Sequence, residues 1–120
     1  MANPNIVAVS SIYANTAVDA DVAASAVSLL TAASNKVLKV NSLVITNIDG
    51  VNAADISVWV TRGGVDFYIA KTISVPADTV LVPIDKNIGF YLVEGDILKI
   101  QASVAGDLAA TCSYEEIDDA

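Results

Sequence analysis

A chain of 120 residues has room for one hydrophobic core and not for a second, so a single domain that folds without metal or disulfide staples is expected. Its 14 acidic against 6 basic residues give a net charge of −8, which is repelled by phosphate backbones and anionic lipid surfaces and argues against nucleic acid or membrane as a partner. With no histidine and a single cysteine, the composition also argues against a Ser–His or Cys–His nucleophile, a zinc site and an intrachain disulfide framework.

In chain order, the start Met1-Ala2-Asn3-Pro4-Asn5 has no basic region and no long apolar run behind it, so no signal peptide is read and synthesis inside the cell is expected. Residues 5–13 are rich in Ile, Val and Tyr and read as an extended arm or first strand that Asn15 ends. The division is therefore residues 1–15 as arm or first strand and residues 16–120 as the domain proper. Residues 19–34 mix good helix formers with alternation and are read as a strand.

Clear alternation begins at Lys36. Val37, Lys39, Asn41, Leu43, Ile45 and Asn47 are predicted on one face, with Leu38, Val40, Ser42, Val44 and Thr46 on the other. After the turn pair Asp49-Gly50, residues 55–62 form a half-buried strand with Ile56, Val58 and Val60 opposite Ser57, Trp59 and Thr61. Gly63-Gly64 closes a hairpin onto Phe67, Ile69, Thr72 and Ile73, and Pro76 stops the return strand because it lacks the ladder donor. Residues 79–84 make another short strand. Residues 90–93 then turn through Glu94-Gly95-Asp96 into residues 97–104, and residues 108–114 follow the turn at Gly106-Asp107. About eight short strands with regular turn signals and no crossover helix predict an all-β fold: a single antiparallel sandwich, jelly-roll-like, with an extended N-terminal arm.

An apolar fraction of 54%, drawn from Val, Ala, Ile and Leu rather than aromatics, exceeds what a core of this size needs. The surplus implies a buried subunit interface or many exposed alanines. An arm carrying Ile6, Val7, Val9, Ile12 and Tyr13 is the candidate interface, since an extended segment adds to a neighbour's sheet edge through main-chain hydrogen bonds.

Other constellations have plainer explanations. Cys112, among Ala109, Ala110, Thr111 and Ser113 of a predicted strand, reads as a buried, inert thiol. The pairs Glu94 with Asp96, Glu115 with Glu116 and Asp118 with Asp119 sit at turns or the terminus, and strand neighbours diverge, so solvated surface is preferred to acid–base chemistry or calcium binding. Gly63-Gly64 lacks the Lys-Ser or Lys-Thr of a phosphate loop. Trp59 with Phe67 and Tyr68 reads either as a cross-strand packing cluster or as a flat aromatic platform for a glycan. No catalytic, cofactor-binding or metal-ligating residue is predicted.

The stretch Tyr91-Leu92-Val93-Glu94-Gly95-Asp96-Ile97-Leu98, with Gln101-Ala102-Ser103 and Ser113-Tyr114-Glu115-Glu116-Ile117, resembles small virion structural proteins of tailed bacteriophages, cyanobacterial ones among them. The segment from Lys36 to Asn47 is similar to a strand pair of those proteins, so the resemblance covers most of residues 36–117. It implies a non-enzymatic particle component without cofactors, synthesised in the host cytoplasm and built into the virion as a homo-oligomer. Capsid cement or decoration bound to the major capsid protein leads, with a neck, tail, baseplate or fibre component, or a glycan-binding adhesion module, as alternatives.

Overall fold

The structure, a computed structural model, describes Ala8 and residues 11–118. Nine strands are found among them: β1 (Ser11–Asp19), β2 (Val27–Thr31), β3 (Lys36–Asn47), β4 (Ala54–Arg62), β5 (Val65–Val75), β6 (Val80–Ile84), β7 (Phe90–Leu92), β8 (Ile97–Ala102) and β9 (Leu108–Asp118). A 3-10 turn at Lys86–Ile88 is the one helical element among the described residues. Every strand pairing is antiparallel. One sheet runs β1-β9-β3-β6, with β7 also pairing β3, and the other runs β2-β8-β4-β5. The expected all-β sandwich is what the chain forms.

The two sheets enclose the core, in which Leu43, Ile45, Ile56, Val58, Ile84, Leu92, Leu98, Ile100 and Leu108 are fully buried. Such burial stabilises by roughly 1.5–3 kcal/mol per large aliphatic side chain. Alternation in β4 places Ile56 and Val58 in that core, as the sequence predicts. In β3 the predicted faces hold only in part. A bulge between Val40 and Ser42 inserts one residue opposite β9, so Leu38 and Val40 before it and Leu43 and Ile45 after it all point inward. Simple alternation had put those two pairs on opposite faces. The extra residue lets one strand of twelve residues bend with the sheet while both halves feed the core.

The predicted end of the first strand at Asn15 is also corrected, because β1 pairs with β9 in unbroken register from Ser11↔Asp118 to Asp19↔Ala110. Asn15 faces Tyr114 in mid-strand, where the polar residue costs little because it is exposed. In the ambiguous segment 19–34 Asp19 ends β1 and only Val27–Thr31 forms a strand of its own. Val22 is nonetheless fully buried, its N–H donating to the Leu108 carbonyl at 2.8 Å. The hairpin glycines behave as expected: Gly63 and Gly64 have φ of 60° and 78°, the pair of positive values that a two-residue turn matched to strand twist requires, and Arg62 faces Val65 across it.

Candidate interaction surface

The last turn of β4 and the β7–β8 turn are locked together by a buried carboxylate. Asp96 is 1% exposed and receives Arg62 in fork geometry, Nε to Oδ1 at 2.8 Å and Nη2 to Oδ2 at 2.6 Å, while the Val93 N–H donates to Oδ2 at 3.0 Å. Burial pushes the Asp96 carboxyl up, but the Arg62 fork and the Val93 N–H outweigh it and hold it below the ordinary value. Beside this lock, Val60, Arg62, Phe67, Phe90 and Tyr91 line a cleft of about 240 Å³. It lies between β5 of one sheet and β7 of the other.

The cleft exists because β5 is the last strand of its sheet and β7 has only three residues, so the sandwich is left open along that side. The consequence is apolar exposure. Of the fifteen large hydrophobic side chains exposed among the described residues, eight lie on β5, β6 and β7: Val65, Phe67, Tyr68, Ile69, Ile73, Val80, Val82 and Tyr91. Phe67, on the cleft side, and Tyr68, against Trp59, stand on opposite faces of β5, so the exposure is concentrated along this side of the sandwich and is shared between its faces.

Edge strands are ordinarily protected by Lys, Pro, bulges or shortness. On β5 these devices crowd into its second half. Register shifts against β4 fall on either side of Val58, which faces Ala70, and Lys71 follows, with Thr72 at a φ of 54°. Residues 65–68 have neither bulge nor proline nor lysine, their one charge is Asp66, which accepts from Thr61 Oγ1 across the hairpin at 2.7 Å, and they pair evenly with residues 59–62. The unprotected stretch is the one beside the cleft.

The sequence-predicted site residues distribute as follows. Ile12 and Tyr13 lie in β1 on the opposite edge, 54% and 56% exposed, and are held by pairing with Ile117 and Glu116. Ile6, Val7 and Val9 lie outside the described residues. The three rings of the supposed platform do not share a surface. Trp59 and Tyr68 face each other across the hairpin with centroids 5.4 Å apart, whereas Phe67, opposite Val60, points to the cleft side. Trp59 is 5% exposed, its indole N–H is buried without a hydrogen-bond partner, and the Lys71 ammonium lies 4.9 Å from the Tyr68 ring centre. This is a packed cluster with its faces engaged by protein groups.

A second, polar cleft of about 260 Å³ lies beside that cluster, lined by Asp55, Ser57, Tyr68, Lys71, Gln101 and Ser103 among others. Its polar groups serve the fold. Ser57 Oγ accepts the Thr72 N–H at 3.0 Å, Ser103 Oγ accepts the Asp55 N–H at 2.9 Å, and Gln101 Nε2 donates to the Ala24 carbonyl at 2.9 Å.

The acidic residues are likewise accounted for by local roles. Glu115 and Glu116 diverge, the first accepting from Asn41 at 3.3 Å and the second lying 3.4 Å from Lys36, which also contacts Asp118 at 3.0 Å. The Asp118 carboxylate, with Glu116, holds the Lys36 ammonium above its usual value. At the far end Asp107 is raised by burial and by the neighbouring Asp49, while the N–H groups of Val51 and Asn52 lower Asp49. Cys112 is fully buried, and desolvation pushes its thiol up to about 12, which makes it a poor nucleophile.

Sequence reasoning did not find Val60, Val65, Phe90 or Tyr91 as surface residues of interest. Their pattern is that of any half-buried strand, and the cleft depends on which strands end the sheets.

Comparison with known proteins bears on the fold. No family model matches the chain, and no curated protein sequence matches it. Among solved structures it is similar to a Bacillus endospore appendage protein of disulfide-linked pili, at 17% identity and a TM-score of 0.53, over 92% of this chain and 90% of that one. It is similar in the same degree to a chain of infectious bursal disease virus, strain Gx, at 15% identity and a TM-score of 0.53 over 90% of this chain, spanning 33% of the viral one. A pentameric capsid protein from metagenomic phage sequences is 19% identical over 87% of this chain and 60% of that one, with a TM-score of 0.41. The likeness to the first two is one of fold. Both belong, by their descriptions, to repeated assemblies, a pilus and a virus particle.

Proposed function

We propose that this chain is a non-enzymatic structural subunit of a bacteriophage virion, most simply a capsid cement or decoration protein that binds the major capsid protein and further copies of itself. The observation that carries this reading is the concentration of exposed apolar side chains along the β5–β7 side, where a sheet edge adjoins an apolar cleft. The sheet order β1-β9-β3-β6 against β2-β8-β4-β5, with the chain changing sheets at most connections and β4–β5 a hairpin within one sheet, supports a jelly-roll-like reading. Such a body presents rigid edges for lateral contacts and needs no active site to be useful. The phage resemblance of residues 36–117 and the fold likeness to repeated assemblies support the same reading. Many copies of a small acidic domain also stay soluble before assembly.

Electron microscopy of intact particles, with this chain traced in the map, tests it. Density over the capsid lattice at subunit junctions is the expected result. Density confined to neck, tail or fibre would overturn the cement role and keep the virion role, and absence from particles would overturn both.

A further inference from the structure

We propose that the unprotected half of β5, residues 65–68, together with the cleft of Phe67, Phe90 and Tyr91, receives the N-terminal segment of a second copy of this chain as an added strand. This rests on the reading above, that the chain is an assembling structural subunit, and names the surface and the occupant.

The receiving site offers both halves of strand addition. Its free edge supplies a row of main-chain donors and acceptors, and the cleft of about 240 Å³ beside it supplies a pocket for alternate side chains. The exposed β1 edge has the first, and neither of the two clefts described touches it. β2 has five residues with an irregularity between Ser28 and Leu30, and β6 has five residues and contains Pro83.

Charge points to the occupant. The chain carries −8 overall, so copies repel wherever acidic surfaces meet. Residues 2–10 contain no charged side chain and include Ile6, Val7, Ala8 and Val9, and the one charged residue of the cleft, Arg62, is already paired with Asp96. An uncharged apolar strand meeting this edge, whose one charge is Asp66, brings no like charge beside it.

Reach shows that the strand comes from another copy. A strand added outside β5 lies about four strand spacings and one sheet separation from β1, roughly 22 Å in all. Ile6 precedes Ser11 by five residues and extends at most about 18 Å from it, and Val7 and Val9 reach less. A chain therefore cannot lay these residues on its own β5.

The test uses full-length variants. Val7→Cys and Val9→Cys chains are each mixed with Val65→Cys chains and mildly oxidised, Cys112 being buried and silent. Links between position 7 or 9 of one chain and position 65 of another, read by mass spectrometry of the joined peptides, are the expected result. Phe67→Asp, at a side chain 56% exposed, is expected to weaken self-association roughly tenfold or more in sedimentation while the melting temperature and circular dichroism stay unchanged. If deletion of residues 2–10 abolishes self-association while Phe67→Asp leaves it intact and no such link forms, the arm docks elsewhere: this inference falls and the assembly reading stands. In a chain carrying both Val7→Cys and Val65→Cys, a link formed only within single chains and never between them also overturns it. A wild-type chain that stays monomeric at all concentrations and is missing from particles overturns both.

Discussion

Asn47 shows how much one buried polar residue holds in this protein. It is 2% exposed at the end of β3, its amide donates to the carbonyls of Asn52 and Val75, each at 2.9 Å, and its oxygen accepts the Asp49 N–H at 2.8 Å. Replacement by Leu strands three main-chain groups without partners, and a loss of roughly 2–4 kcal/mol in urea denaturation is expected. Asp96 is the other buried polar residue among the described ones. Its folded pKa lies below the ordinary 3.8, so the stability it contributes is present above that pH and is lost as pH falls through the folded value. Asp96→Asn is expected to lose roughly 2–3 kcal/mol at neutral pH and to show a flatter decline of melting temperature under acid than the wild type. Gly89 matters by proximity, since a Cβ there would sit 2.7 Å from the Val40 carbonyl oxygen, and Gly89→Ala must push β7 away from β3. A drop in melting temperature of several degrees is the expected readout.

The elements of this fold were legible wherever alternation was regular and turn chemistry explicit. β4 and β5 follow from Ile56/Val58 and the Gly63-Gly64 pair, and β8 from residues 97–102 after the turn at Gly95. Because the Gly63 and Gly64 positions have open space around them and only their φ is demanding, Gly63→Asn is expected to keep the hairpin and to leave stability within about 1 kcal/mol. Gly64→Val, branched at Cβ with φ near 78°, is expected to lose more in the same melting experiment. The β3 bulge was not legible, since inserting one residue leaves no mark on composition. Deleting Asn41 would remove the extra residue, and plain alternation would then carry Leu38, Val40, Leu43 and Ile45 on one face without a bulge. Cooperative unfolding is expected to survive the deletion, with a lowered melting temperature because the strand loses its bend, against a change under about 1 kcal/mol for Asn41→Ala, whose side chain is half-buried.

For the whole molecule, the surplus of apolar residues anticipated an interface but not its place. The arm boundary shifts with consequences for experiment. Ser11, Ile12 and Tyr13 pair with β9, so a truncation that tests assembly without disturbing the sandwich must stop at residue 10. Its melting transition is expected to stay within a few degrees of wild type, while removal through Tyr13 also strips three register pairs and lowers it further. Self-association driven by an apolar edge against a net charge of −8 should strengthen, not weaken, as salt is raised to about 0.5 M. Sedimentation across a salt series checks the sign, and weakening would indicate that ion pairs hold the copies together.

Sequence by itself determined what depends on neighbours along the chain: the extended backbone, the turns, the inward pattern of most strands and the shortage of residues for nucleophile–base or zinc chemistry. These are set by periods of two and by the steric demands of Gly and Pro. The tertiary structure alone decided which strands end the sheets, where a bulge reverses a face, and which distant charges meet, as Arg62 and Asp96 do. Those outcomes depend on pairings between residues far apart in the chain, and the apolar side of β5 and β7 is open because of them.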